Sequence, residues 1–524
     1  MSVKINLHNH LTGQSEQIAG FNKILGQTDK SISMYVCGPT VHAVSHIGHG
    51  RTFAVFDSLR KFLTSKGTTV NFGMNITDID DKINAKVRTL HYNTLLQTNL
   101  SVNQLKELED LMLQKVTEGV FNQNDMTPSM ELYYKFVNDR STKFWEELKS
   151  INVNMPTTCL RVSEVLPQIE DMITKLIEKG YAYESNGSVY FNTNYYYGKF
   201  CRCPLSNSTE DDINVKDGYT SEKINPQDFA LWKKAKPYSI GFLSKFSFGS
   251  PGWHIECSVM SSIMFGDNID LHGGGIDLKF PHHHNEVLQS NSYFEKPNVF
   301  KHFMYTGHIR VNGEKMAQSV GNYLTLEQYL SRYSANSMRL LFWSVYWARP
   351  MELSDDTIEY AVALEKRISE FISTIEFNLK LHKNIPILNN DISIQYIYSL
   401  FDKIDEVLSD EFRTDEAIRL LGEIITNTHK AISASEIDNT ILEHILNKTK
   451  GLLYIIGLNL SSYDDDKSNE SEQFLHELNE LRKLLKNKKQ YDISDYVRDV
   501  VFPRLGYLAQ DTPDGVKISK TKAT

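Results

Sequence analysis

Apolar and polar positions in the first eighty residues follow two different periods. Ser31–Val36 (SISMYV) is a short apolar-rich run that predicts a buried strand, and Thr68–Phe72 predicts another. Between them, Thr52–Leu63 sets Phe53, Phe56, Leu59 and Leu63 on one face of a helix. Strand, helix and strand within about fifty residues make a βαβ unit, which favours a parallel sheet of the α/β class. Ser101–Val116 and Ser163–Lys179 read as amphipathic helices, and the stretch from about 185 to 235 mixes Tyr, Asn, Gly and Pro with short apolar pieces. From Pro251 the chain becomes dense in Gly and His, so the middle reads as an insertion between two halves of the first domain. Beyond about 325 helices dominate. Ser354 with Asp355 and Asp356 makes a helix start, and Ile358, Ala361, Leu364, Ile368, Phe371 and Ile375 carry the apolar stripe. Ser461–Glu472 is acidic and lacks large aliphatic residues, which predicts a linker ahead of a small C-terminal module opening with Leu481–Gln490.

Length and charge narrow the classes. The 524 residues allow three or more domains. With 56 Lys+Arg against 65 Asp+Glu the net charge is −9, which excludes coating a nucleic acid by bulk charge but leaves room for local basic patches. The clearest basic run is Arg482, Lys483, Lys486, Lys488 and Lys489. No apolar run approaches the roughly 20 residues that span a bilayer, and the opening MSVKINLHNHLTG lacks the apolar core of a secretory signal. Five cysteines do not suit a disulfide framework and point to a reducing, cytoplasmic compartment.

Three constellations carry chemistry. His46-Ile47-Gly48-His49 opens the first predicted helix, where the two imidazoles share a face. The helix N-terminus offers unpaired N–H groups to a phosphate, and Gly48 allows close approach to the backbone. Lys315-Met316-Ala317-Gln318-Ser319 lies between Gly313 and Gly321, and a lysine on such a loop can reach a polyphosphate and stabilise a leaving pyrophosphate. Cys37, Cys257, His282 and Glu286 form a dispersed donor set that suits zinc better than magnesium or calcium. His282 and Glu286 are four apart on a helix that Pro281 would start. Taken singly, Cys37 and Cys257 are more often small core residues than ligands; Cys201 and Cys203, which could also be ligands, read as structural or incidental.

Together and in this order, YVCGPTVHAVSHIGHGRTFAVFD (35–57), NITDIDDK (75–82), PGWHIECS (251–258), DLHGGGIDLKFPHHHNE (270–286) and KMAQSVGN (315–322) resemble the bacterial-type cysteinyl-tRNA synthetases, class I aminoacyl-tRNA synthetases. The resemblance implies a Rossmann-like parallel-sheet catalytic domain with an inserted connective domain, then an α-helical bundle and a small C-terminal anticodon-binding module. Its divisions would be 1–125 and 236–306 for the catalytic halves and 126–235 for the insertion, with an added helical excursion at about 90–130. The loop and stem-contact region would span 307–355, the bundle 356–460 and the C-terminal module 473–524. It further implies one zinc per chain on Cys37, Cys257, His282 and Glu286, and a cysteine pocket formed by Cys37, Gly38, Thr77, Trp253 and His272. ATP, carried with magnesium, would meet Thr40, His46, Gly48, His49, Gly274, Asp277, Lys315 and Gln318. Among these, His46, His49, Lys315 and Gln318 would act in catalysis. The expected product is cysteinyl-tRNA(Cys), made from L-cysteine by a cytoplasmic monomer.

Two positions depart from the family pattern. Ala317 and Gln318 replace the middle serine and second lysine of the usual Lys-Met-Ser-Lys-Ser loop, leaving Lys315 or Lys279 to compensate for the missing cation. His284 stands where an acidic residue is common. Two other readings remain at this point: a cysteine ligase with a small amine acceptor, which needs neither the bundle nor the basic module, and a catalytically silent paralogue.

Overall fold

The βαβ unit is present as the pattern requires. In the computed structural model, which describes residues 4–18, 31–201, 203–205, 222–316, 321–380, 392–434, 436–459, 462–505, 507–512 and 515–520, the chain forms two compact units, Met1–Leu458 and Asn459–Thr524.

The first unit begins with a hairpin of β1 (Asn6–Asn9) and β2 (Gln14–Gln17). Next come β3 (Ser31–Val36), α1 (Ile47–Ser65) and β4 (Thr69–Ile76), with β3 and β4 paired in parallel. Phe53, Phe56, Leu59 and Leu63 are all buried on α1. Helices α2 (Asp81–Leu96), α3 (Leu105–Thr117) and α4 (Met130–Ser150) include the added excursion, which packs its own small core of Tyr92, Leu108, Met112 and Met126.

They lead to β5 (Thr158–Arg161), which pairs in parallel with β4. The main sheet therefore takes a strand from within the range 126–235, and the chain leaves that sheet only after Arg161. Four partly exposed edge residues carry no alternation for a pattern to register. The excursion outside the sheet holds α5 (Leu166–Glu178) and five strands: β6 (Ala182–Ser185), β7 (Ser188–Phe191), β8 (Phe229–Lys234), β9 (Phe242–Leu243) and β10 (Phe248–Pro251). Helix α6 (Thr193–Tyr197) lies between β7 and β8, and the strands form an antiparallel sheet ordered β6-β7-β8-β10-β9. That sheet extends to Pro251, beyond the expected boundary at 235.

The chain returns through α7 (Trp253–Phe265), β11 (Leu271–Gly275), α8 (His284–Phe294) and β12 (Phe303–Thr306). The main sheet is ordered β12-β11-β3-β4-β5 and is parallel throughout. Sequence order runs outward in both directions from the β3/β11 pair, so the crevice at the carboxyl ends of these strands is a topological switch point, where ligands of open α/β sheets bind. A smaller sheet of β13 (Ile309–Val311), β14 (Glu314–Lys315) and β15 (Met351–Glu352) follows, enclosing α9 (Leu326–Leu330) and α10 (Ala335–Trp343) in the chain between β14 and β15. The bundle is α11 (Asp355–Lys380), α12 (Ile392–Ser409), α13 (Thr414–Ser433) and α14 (Asn439–Ile456), and all six predicted stripe residues of α11 are buried.

A buried ion cluster joins α1 to later elements. Asp57 accepts from Lys61 at 2.7 Å and from Arg339 of α10 at 2.9 Å, and Arg339 Nε donates to the Ile456 carbonyl at the end of α14 at 2.7 Å. Removing one partner of such a buried pair costs about 3–5 kcal/mol, so α1, α10 and the end of α14 hold one arrangement. Gly457 at φ +88° leaves room for this: a β-carbon there would stand 1.9 Å from Arg339.

The second unit consists of α15 (Ser462–Asn487), α16 (Tyr491–Tyr496), α17 (Phe502–Arg504) and the hairpin β16 (Tyr507–Thr512) and β17 (Gly515–Lys520). The stretch read as a linker is thus helical from Ser462 onward. The basic run is also not one solvated face, because Arg482 is buried and its Nε donates to the Ser494 carbonyl at 3.1 Å, joining α15 to α16. Among the described residues no helix is long and apolar enough to cross a membrane.

Candidate active site

The ends of β3, β4 and β11 are drawn together by residues with no room for a side chain. A β-carbon at Gly38 would lie 1.7 Å from the Asn75 carbonyl oxygen. Asn75 Oδ1 accepts from the Gly38 N–H at 2.8 Å and from the Tyr35 hydroxyl at 3.1 Å, while Asn75 Nδ2 donates to Thr77 Oγ1 at 3.2 Å. Successive residues of β11 face opposite sides, as a strand requires. A β-carbon at Gly273 would meet the Phe56 ring of α1 at 2.2 Å, whereas at Gly274 it would meet the His283 ring at 3.3 Å. Gly252, whose β-carbon would strike the Ala230 carbonyl oxygen at 2.0 Å, caps α7 and so fixes where Trp253, His254 and Cys257 stand.

Four buried donors converge here. Cys37 Sγ is 3.6 Å from Cys257 Sγ, 3.6 Å from His282 Nε2 and 3.6 Å from Glu286 Oε1, and His282 Nε2 is 3.1 Å from Glu286 Oε1. A tetrahedral zinc site with bonds of about 2.0–2.3 Å has ligand–ligand edges of roughly 3.3–3.8 Å; the three Cys37 distances fall in that range, the His282–Glu286 edge is slightly shorter, and all four donor atoms lie within 4.8 Å of one another. Burial pushes the Cys37 thiol well above its ordinary pKa and raises that of Cys257, and it holds His282 neutral, far below its usual value. Two sulfurs, a neutral imidazole and a carboxyl group make a donor set that fits zinc.

A second buried layer orients these donors. His272, on β11, places Nε2 2.9 Å from Glu286 Oε2 and Nδ1 3.2 Å from the Tyr35 carbonyl. His254 Nδ1 is 2.9 Å from His282 Nδ1, and burial lowers the His254 pKa to about 3. With Nε2 of His282 turned to the other donors, its Nδ1–H donates to His254, which fixes the tautomer. His283 Nδ1 meets the Tyr305 hydroxyl at 3.0 Å, and Cys37, His272, His283 and Glu286 make a second, overlapping quartet. Trp253, 38% exposed, stacks on His282 with centroids 4.3 Å apart and closes the cluster toward solvent. Thr77 Oγ1 donates to Glu256 at 3.5 Å, and burial raises that carboxyl well above its usual pKa.

Pro281 does not start the helix. Phe280, extended at φ −140° and ψ 134° as a residue before proline prefers, ends one turn, and α8 begins at His284. The i, i+4 relation of His282 and Glu286 survives because it runs across that junction into the first turn of α8. His284 faces elsewhere: its Nε2 meets the Tyr197 hydroxyl at 3.1 Å and its Nδ1 meets Asn285 Oδ1 at 2.9 Å, fastening α8 to the residue that ends α6. Among the described residues Cys201 and Cys203 join neither quartet.

The two histidines of the first motif share a face, with rings stacked 3.9 Å apart. His46 is the cap of α1: its Nδ1 accepts from the amides of Gly48 at 3.0 Å and His49 at 3.3 Å. Those N–H groups, expected to be open to a phosphate, are therefore occupied by the His46 ring. Gly48 is required by that ring, which a β-carbon would meet at 2.8 Å. Burial keeps both imidazoles neutral, lowering His46 to about 4 and His49 well below its ordinary value, while the exposed Asp277 carboxylate is an electrostatic neighbour of His46. Thr40 bridges to Thr77 where β3 and β4 end, and Gly274 lies buried on β11.

Lys315 is exposed at the end of β14. The chain beyond the loop is sewn to the start of α1: His46 bridges to Thr325, Ile47 N–H donates to the Leu324 carbonyl at 3.1 Å, and the Tyr323 hydroxyl donates to the Val44 carbonyl at 2.8 Å. Gln318 lies outside the described residues. Sequence reasoning missed His254, His283, Tyr305 and Asn75. The first two flank expected ligands in WHIEC and PHHH, a signal that could have been followed; the others have no local signature.

A family model described as the class I (C) tRNA synthetase catalytic domain matches residues 24–363. A cysteine–tRNA ligase of Methanococcus maripaludis is 33% identical over 519 residues, covering 97% of this chain and 98% of that protein. One from Carboxydothermus hydrogenoformans is 32% identical, covering 98% and 99%. A cytoplasmic cysteine–tRNA ligase of Dictyostelium discoideum is 33% identical, over 81% of this chain and 60% of that one. Among solved structures, a putative arginyl-tRNA synthetase of Campylobacter jejuni superposes with a TM-score of 0.56 at 10% identity, covering 83% of this chain and 94% of that one. Mycobacterium tuberculosis methionyl-tRNA synthetase bound to methionyl-adenylate gives 0.55 at 12%, covering 81% and 88%. These two likenesses concern the fold alone.

Proposed function

Since the chain belongs to the cysteine–tRNA ligase family of class I aminoacyl-tRNA synthetases, we propose how its own residues select the amino acid and drive its activation. The enzyme ligates cysteine to tRNA with ATP as co-substrate. Full-length similarity that includes the bundle and the C-terminal module leaves the small-acceptor ligase without support. The quartet of Cys37, Cys257, His282 and Glu286 carries the mechanistic reading, since it joins donors up to 249 residues apart at dimensions that suit zinc. Zinc held there would supply a soft Lewis acid that prefers the sulfur of cysteine to the hydroxyl of serine, a distinction that shape alone makes by only about 1–3 kcal/mol.

His254 orients the His282 ring, and His272 orients Glu286. Gly38, Thr77 and Trp253 wall the pocket, with Asn75 fixing the first two. ATP is read into the crevice beside the start of α1, against Thr40, His46, Gly48, His49, Gly274 and Asp277. The substrate carboxyl, with a reference pKa near 3.5, is ionised at neutral pH and needs no general base. One of its oxygens forms the new bond to the α-phosphorus as the bond to the bridging oxygen breaks, and pyrophosphate leaves with that electron pair. His46, His49 and Lys315 stabilise the charge spreading over the phosphates, with Gln318 contributing a hydrogen bond in place of a cation. Magnesium accompanies the nucleotide. The 2′-hydroxyl of the terminal adenosine of tRNA(Cys) then attacks the carbonyl carbon and releases AMP. The bundle at 356–460 and the module at 473–524 hold the tRNA, the latter at the anticodon through local basic side chains. The enzyme is read as a cytoplasmic monomer.

Cysteine-dependent ATP–pyrophosphate exchange, followed by charging of tRNA(Cys), tests the scheme, with metal analysis expected to find one zinc per chain. Full activation of cysteine with rejection of serine after complete chelation would overturn the role of the quartet.

A further inference from the structure

The first turns of α1 also carry a charged side chain, Arg51, which the scheme above does not use. Arg51 is 1% exposed, and its guanidinium donates to five backbone carbonyls. Nη1 reaches Gly307 at 2.9 Å and His308 at 3.5 Å; Nη2 reaches Arg349 at 2.9 Å, Tyr346 at 3.3 Å and Trp347 at 3.4 Å. A buried cation held by carbonyl dipoles alone is costly to desolvate, and its placement calls for a reason.

The carbonyls belong to two loops. Residues 307–308 lead into β13, and 346–349 lead into β15. Strand β13 pairs with β15 on one side and on the other with β14, which ends at Lys315. The two loops also touch directly. Gly307 N–H donates to the Trp347 carbonyl at 2.9 Å, and a β-carbon at 307 would meet the Arg349 carbonyl oxygen at 2.2 Å. The neighbouring Thr52 hydroxyl lies 2.7 Å from that of Thr306, at the end of β12. One guanidinium fork on the histidine-bearing helix thus grips the root of the hairpin that bears the lysine.

We propose that Arg51 is a positioning residue for adenylate formation: it sets the register between the Lys315 hairpin and the His46/His49 turn, so that both meet one triphosphate. This rests on the role given to Lys315 above. An ammonium could keep the charge, but its three donors on a single nitrogen cannot span two loops as a planar fork does. Burial lowers the Arg51 pKa to about 10, which leaves the fork charged at neutral pH.

The test is a double-mutant cycle on pyrophosphate exchange, with Arg51→Met and Arg51→Lys each made in the wild-type and Lys315→Ala backgrounds. A misplacement of about 1 Å costs about 10²-fold, so Arg51→Met should lower kcat by about that factor. Arg51→Lys should lower it by about tenfold, and neither should change the KM for cysteine or the zinc content. In the Lys315→Ala background each Arg51 substitution should lose most of its effect, because its lever is gone. Equal losses in both backgrounds would overturn the proposal, as would wild-type kcat in Arg51→Lys. If Arg51→Met does not fold, the cycle with Arg51→Lys decides alone. A wild-type rate for Lys315→Ala by itself would remove the role of Lys315 and the proposal with it, and that single variant tells the two failures apart.

Discussion

Replacing Gly273 by alanine would unseat the helix that carries the two histidines. A β-carbon there stands 2.2 Å from the Phe56 ring, whereas ordinary contact begins near 3.4 Å, a shortfall of about 1.2 Å. Phe56 is fully buried on α1, and a close-packed interior gives its ring nowhere to turn. The strain is therefore relieved by moving α1 away from β11, and His46 and His49 move with its first turn. A shift of about 1 Å in a reacting constellation lowers the rate about 10²-fold, or about 2.7 kcal/mol in activation free energy. Overpacking adds about 1–3 kcal/mol of lost stability. The assay is kcat for cysteine-dependent pyrophosphate exchange, with zinc content measured in parallel. Phe56→Leu removes the ring atoms nearest Gly273, so the double variant Gly273→Ala/Phe56→Leu should recover most of the rate. An alanine variant as fast as wild type, or a double variant as slow as Gly273→Ala alone, would refute this account of how α1 is seated.

Five further outcomes are expected. The thiols of Cys37 and Cys257 are protonated when metal-free, so zinc uptake releases protons; apparent affinity should fall as pH is lowered, and Cys257→Ser should flatten that dependence in a chelator competition. His254→Phe should weaken zinc binding about 10–100-fold by leaving the His282 Nδ1–H without its acceptor, whereas His254→Gln should stay closer to wild type in the same competition. Gln318→Lys should speed adenylate formation and Lys315→Ala should slow it sharply, both read by single-turnover kinetics. Lys488→Ala/Lys489→Ala should raise the KM for tRNA and reduce its salt dependence while leaving pyrophosphate exchange unchanged. Arg482→Ala should instead lower the melting temperature of the C-terminal unit, because that side chain is buried between α15 and α16.

The features legible in the sequence are those whose signal is local. Ser31–Val36 has the bounds of the observed strand, and the stripes of α1 and α11 are buried where their period places them. β5 was missed because four half-exposed edge residues carry no period, and that moved the start of the insertion from 126 to beyond Arg161. The first half of Ser462–Asn487 lacks large aliphatic residues and reads as a linker, yet the helix runs through it. Histidine is not among the common caps, so nothing in the string HIGH announced that His46 would take up the amides meant for a ligand. The donor quartet is a matter of topology: no spacing rule links Cys37 to Cys257, 220 positions away, and only the resemblance brings them together ahead of the fold.

The distance along the chain between Cys37 and Glu286 has a consequence for biosynthesis. At roughly 5–20 residues per second, the 249 positions separating them take about 12–50 s to translate. Throughout that interval the amino-terminal half has emerged with a thiol but without the carboxylate, the imidazole or, for most of it, the second sulfur that complete the nest. On the proposed reading, metal loading would be a late event in the maturation of this polypeptide, and a nascent fragment released before α8 would lack donors of the quartet.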